Sequence, residues 1–171
     1  MENKVLRLSL VAIFSVLLFA VALFNRYSFH AGQIIFAIIF TIGVLLIRYR
    51  GCAIFVTFIA GMVYSFTSTL GFLIITSWIV RGATVDLLFS VMRIYSSKNP
   101  SSIHTSIAMS ISSLTTGFTH YMIFVKLLHL IPELAFHIIL PMILIAATLT
   151  GVGSFLATKY LYRRIIAVVN F

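Results

Sequence analysis

Two ionisable side chains, Arg81 and Asp86, lie within the apolar stretch 70–92. At about 23 residues it is long enough to cross the ~30 Å hydrocarbon core of a bilayer as a helix. A charge at that depth costs roughly 2.5–3.5 kcal/mol on insertion scales, so it faces a polar interior, a ligand or a structural partner. A guanidinium there suits an anionic or hydrogen-bonding ligand group. Five residues of helix turn the two side chains roughly 140° apart, so they do not pair with one another as an i,i+4 pair would. Each therefore needs a partner on another span, or one of them awaits a ligand.

The remaining candidate contacts are Tyr64, Trp78, His120 and Tyr121. With Arg81 and Asp86 they form the expected substrate-binding set: aromatic walls and a few polar anchors, the usual lining of a small-molecule pocket. Each has a plainer reading as well. Tyr64, Trp78 and Tyr121 would also serve in an interfacial aromatic belt, and His120 in a hydrogen bond between helices. Glu133 reads as a solvated loop carboxylate and His137 as a capping or interfacial residue.

Catalytic motifs are absent. There is no glycine-rich phosphate loop, no GxSxG and no paired carboxylate, and the acids are only Glu2, Asp86 and Glu133. The histidines are scattered and Cys52 is the single cysteine, so neither a metal site nor an internal disulfide is expected, and no cofactor is implied. Cys52 with an arginine and a histidine weakly resembles the membrane transpeptidases called exosortases and archaeosortases. A lone cysteine in a membrane helix is more often a packing residue. A thiol-transpeptidase enzyme and a structural or assembly subunit stand as the alternatives to a binding protein.

The elements that must position these residues are membrane spans. Of 171 residues 61% are hydrophobic and 9% charged, against about 25% charged in soluble domains. The expected fold is all-α, a single domain over 1–171 of six transmembrane helices at about 8–24, 31–47, 52–66, 70–92, 104–125 and 134–160. Ala20-Val21-Ala22 resembles a signal-peptidase site, but the apolar run is longer than a signal core and reads as a retained span. On the fifth span Ser106, Ser110, Ser113 and Gly117 share one face, a small-residue stripe that lets helices approach closely in lipid. Asn99-Pro100 with its flanking serines marks the clearest loop.

Charge sets the orientation. Lys4, Arg7, Arg48, Arg50, Arg93, Lys98, Lys159, Arg163 and Arg164 fall on one side of the six spans, and Arg26 and Lys126 on the other. The bias places both termini in the cytoplasm. The net charge of +9 thus belongs to span ends and membrane lipid, and no nucleic-acid partner is expected.

The fourth span, WIVRGATVDLLFSVMRIY, resembles the substrate-binding S components of energy-coupling factor (ECF) transporters. The likeness is to the YkoE-like group, through Gly82, Ala83, Asp86, Phe89 and Arg93. The closing LTGVGSFLATKYLYRR is similar to the glycine-rich last helix and basic tail of those proteins. The resemblance implies a multi-pass cell-membrane subunit that captures a vitamin or related micronutrient, with thiamine or a precursor as a candidate. It also implies a transmembrane coupling subunit and cytoplasmic ATPases as partners. In that family small residues four apart on the first helix, typically AxxxA, meet the coupling subunit. Here the series is Ala12, Val16, Ala20, and Ser9, Ala12 and Ser15 offer a second small face.

Overall fold

The computed structural model describes residues 2–25, 31–129 and 136–169. The expected loop at 26–30, the loop residues Pro132 and Glu133 and the start of the sixth span lie outside the described residues. Among the described residues all regular structure is helical. Lipid offers no hydrogen bonds to a backbone, so each crossing segment must satisfy its own. The helices are α1 (Glu2–Asn25), α2 (Ala31–Ile47), α3 (Cys52–Ser65), α4 (Ile74–Val91), α5 (Ser102–His120) and α6 (Phe136–Leu156). A 3₁₀ turn, Gly71–Leu73, leads into α4. α5 runs on in wider π-type turns over Tyr121–Leu127, and α6 continues through π turns at Ala157–Tyr162 into a last helical segment, Arg163–Val169. With 14 residues, α3 spans only roughly 21 Å, short of the ~30 Å hydrocarbon core.

The six helices close into a ring in the order α1, α2, α6, α5, α4, α3 and back to α1. The small-residue stripe of α5 lies against α6, as expected. Ser106 Oγ donates to Gly151 O at 2.8 Å and Ser110 Oγ to Ala147 O at 3.1 Å, while a Cβ at Gly117 would meet Ile143. Toward α2, Thr41 and Ser154 of α6 share a hydrogen bond of 2.8 Å. Such bonds contribute on average about 0.6 kcal/mol each in a bilayer, so close backbone approach does most of the fastening. The α3–α4 crossing is as close: a Cβ at Gly82 would lie 2.7 Å from Ile54 Cα and 2.8 Å from Ala53 O, as one at Gly153 would lie 2.6 Å from Ile34 O of α2.

That crossing gives Asp86 its partner. Gly51 precedes α3 without a side chain to cap it. The carboxylate of Asp86, reaching over from α4, accepts from Ile54 N at 2.9 Å and Ala53 N at 3.4 Å. Orphan N–H groups and the positive end of a helix dipole thus meet an anion supplied in trans. The hydroxyl of Tyr95 donates to the same carboxylate. Tyr95 reaches it because α4 ends in a Schellman turn: Arg93 is left-handed (φ 54°), and Ile94 N donates to Phe89 O at 2.8 Å. Arg48 ties down the same turn from below, its guanidinium donating to Ser97 O at 2.6 Å. Cys52 is packed into this knot, with Val44 O at 3.8 Å and the Tyr95 hydroxyl at 3.7 Å from its sulfur.

The basic ends gather as the charge pattern requires. Arg7 near the N-terminus, Arg48, Lys98 and Ile166 near the C-terminus line one cavity, so both termini and two loops meet at one end of the bundle. This is an integral membrane bundle, and the described start of α1 and the last helical segment both lie at its basic end.

Replacing Asp86 by Ala would leave two buried N–H groups and a hydroxyl without an acceptor. We expect a loss of about 2–3 kcal/mol in unfolding free energy in mild detergent, partly recovered by Asp86→Asn, which keeps one acceptor oxygen.

Candidate functional site

At the end of the ring opposite the basic face, five helices converge on a cavity of about 190 Å³. α4 supplies Ser77, Trp78 and Arg81 from little more than one helical turn. The end of α1 contributes Asn25, the start of α2 Gln33 and Phe36, the end of α3 Tyr64, and α5 Thr116 and His120. A second cavity of about 490 Å³ adjoins it between α2, α4, α5 and α6. Gln33, Arg81, Thr116 and His120 border both, so four polar side chains form a common wall. Tyr121, Met142 and Ile143 give the second cavity its mainly apolar surface.

The aromatic wall is built by contact between rings. Trp78 stands edge-on to Phe36 with centroids 5.7 Å apart, and Tyr64 lies 5.7 Å from Trp78 on its other side. Trp78 can lie against α3 because residue 61 is glycine: a Cβ there would come within 2.8 Å of Trp78 Cβ and Cγ. Gly32 performs the same service where α2 meets Asn25, its absent Cβ lying 2.8 Å from that side chain. His120 is held between Ser77 Oγ, 3.4 Å from its Nδ1, and the ring of Phe124 at 4.7 Å. The π turns begin one residue later, at Tyr121, and widen α5 beside the cavity.

Arg81 is the least satisfied group in this arrangement. Its Nη2 donates to Ser113 Oγ at a long 3.3 Å, and its guanidinium carbon lies 4.5 Å from the centre of the Phe36 ring. Its Nε is buried without a hydrogen-bond partner, as are Asn25 Oδ1 and Gln33 Oε1. A buried polar atom left unpaired costs about 1–3 kcal/mol, and three of them border one cavity. One is a donor on a cation and two are amide oxygens, which together would grip a ligand carrying both an anionic acceptor and a donor.

The expected site residues divide. Tyr64, Trp78, Arg81 and His120 come together around the first cavity, and Tyr121 lines the second. Asp86 borders neither; it is 7% exposed and caps α3 as described above. His137 is exposed and borders neither cavity. Asn25, Gln33 and Thr116 were not anticipated. A signal existed for Gln33, the only glutamine in the chain, standing alone within the apolar second span. Among the described residues no three His, Cys, Asp or Glu side chains converge as a metal site would require.

On α1, Ala12, Val16 and Ala20 form an exposed row, with Val16 63% exposed. Ser15 belongs to the other side. It is 2% exposed and its hydroxyl lies 2.7 Å from Val11 O and 3.2 Å from Val56 O of α3. The alternative face through Ser9, Ala12 and Ser15 is therefore split between lipid and bundle, because α3 packs where Ser15 points.

Neither a protein-family model nor a curated protein matches this sequence. Among solved structures, the crystal structure of an S-component of an ECF transporter matches with a TM-score of 0.66 at 16% identity. The match covers 98% of this chain and 86% of that one. The chain thus has the fold of an ECF transporter S component, the architecture that the motif in α4 implied. At this identity the likeness carries the fold alone.

Trp78 is the sole tryptophan, so intrinsic fluorescence reads the cavity wall directly. Gly61→Ala should push the indole off α3 and shift its emission while far-ultraviolet circular dichroism stays unchanged. Overpacking of this kind costs about 1–3 kcal/mol of stability.

Proposed function

We propose that the protein is the substrate-capture subunit of an ECF-type importer, taking up a vitamin or related micronutrient from the outer face. The observation that carries this reading is the set of unpaired buried atoms on Asn25, Gln33 and Arg81 around one cavity of an S-component fold. A protein whose interior served only to hold six helices together would bury Arg81 with a fixed partner, as it buries Asp86.

The lining also bears on the ligand. Arg81 is present, and no carboxylate borders either cavity among the described residues. Thiamine, a cation, would meet Arg81 as a like charge. A ligand with a carboxylate or phosphate for Arg81, a donor for the amide oxygens of Asn25 and Gln33, and a ring for Trp78, Tyr64 and Phe36 fits better. The YkoE-like subgroup rests on Gly82, Ala83, Asp86, Phe89 and Arg93. In this structure Gly82, Asp86, Phe89 and Arg93 build the α3–α4 crossing and the turn beneath it, and so speak to architecture more than to substrate.

Energy would come from partners. The exposed row Ala12, Val16 and Ala20 on α1 is the surface offered to a transmembrane coupling subunit, which cytoplasmic ATPases would drive. No observation favours the thiol-transpeptidase alternative, since Cys52 is buried against Val44 and Tyr95 at the cytoplasmic end. A merely structural role leaves the unpaired atoms without a purpose.

Calorimetric titration of the purified chain with carboxylate-bearing vitamins and with thiamine tests the reading. The Arg81→Met variant should bind the preferred acidic ligand roughly 1.5–3 kcal/mol more weakly, tenfold or more in Kd. Its unfolding midpoint without ligand should be unchanged or raised. Ligand-free destabilisation with unaltered affinity would remove Arg81 from the site.

A further inference from the structure

The basic end of the bundle holds a cavity of its own, about 470 Å³, far from the site above. It lies beneath the inner end of α2, between the start of α1 and the last helical segment. Its walls are of two kinds. Arg7, Lys98 and Arg48 bring three cationic side chains together, with Asn99 beside them. Leu6, Leu10 and Ile166 supply an apolar flank that opens where α1 and the terminal segment face lipid.

Two further observations point to a ligand. Tyr162 lines the cavity, is 1% exposed, and its hydroxyl is buried with no hydrogen-bond partner. No carboxylate lines the cavity among the described residues: Asp86 is committed to α3. Positive charge at a cytoplasmic end is ordinary, and by itself would be spread over solvated loops. Here three cations and an unpaired phenol share one concavity with leucines.

We propose that this cavity binds an anionic phospholipid of the inner leaflet. The phosphate would sit between Arg7 and Lys98, with the Tyr162 hydroxyl donating to one of its oxygens and the first acyl segment along Leu6, Leu10 and Ile166. Arg48, already donating to Ser97 O, fixes the loop that carries Lys98. Basic pockets between spans on the cytoplasmic side suit anionic head groups, and each basic side chain near such a surface strengthens binding severalfold. A soluble phosphate would use the cations but gain nothing from the apolar flank.

The test is native mass spectrometry of the full chain in mild detergent, titrated with phosphatidylglycerol and, separately, phosphatidylcholine of the same acyl chains. One phosphatidylglycerol should bind at a concentration about tenfold lower than phosphatidylcholine. The double variant Arg7→Gln, Lys98→Gln should lose that preference, and Tyr162→Phe should weaken phosphatidylglycerol alone by a few-fold. Arg7 and Lys98 are exposed, so the double variant should keep the fold, which circular dichroism checks. Equal binding of the two lipids would overturn the proposal, and so would a preference that survives the double substitution. Displacement of phosphatidylglycerol by millimolar inorganic phosphate would also overturn it, in favour of a soluble-anion site.

Discussion

Hydrocarbon does not solvate charge, and this bundle answers that constraint in two opposite ways on a single helix. Asp86 is matched completely: two backbone N–H groups at the start of α3 and the hydroxyl of Tyr95 surround its carboxylate. Arg81, five residues earlier, has one long hydrogen bond, an aromatic face and a buried nitrogen with no partner. The first arrangement closes the α3–α4 crossing and the turn below it. The second leaves a cation at the border of two cavities. An ion that is fully met stabilises structure, whereas one that is half met is available to something else.

Much else follows from where that helix sits in the ring. Because α3, α4 and α5 are neighbours, the faces of α4 that do not meet α3 look toward α5 and, across the interior, toward α2. Arg81 occupies such a face, Trp78 lies at its edge against Gly61 of α3, and Phe36 of α2 touches both. Glycines 61 and 82 let α4 lie close enough to α3 for Trp78 to pack and for Asp86 to reach the helix start. Scaffold and cavity are thus built by side chains of one span.

The architecture was largely legible in the sequence because its signals are local. Six apolar runs, a nine-to-two split of basic residues and a serine–glycine stripe each survive without knowledge of neighbours. Arg81, Trp78, Tyr64 and His120 were legible by depth, since residues at similar height in adjacent spans have few places to go. Asp86 was not, because its partners are backbone N–H groups, and these carry no mark in a sequence. Ser15 failed for a related reason: helical spacing groups it with Ser9 and Ala12, and only the position of α3 shows which side is buried. Asn25 and Thr116 are common residue types at ordinary positions. Gln33 was the one omission whose isolation in an apolar run could have been noticed.

The central claim is that the incompletely matched Arg81, with Asn25 and Gln33, marks a site for an acidic small molecule. The most direct measurement is the mass and identity of any small molecule carried by the intact chain when it is purified from producing cells in mild detergent and released in the gas phase. The account predicts one molecule per chain, of vitamin size and bearing a carboxylate or phosphate. A retained cation such as thiamine, or a molecule with no acidic group, would contradict it.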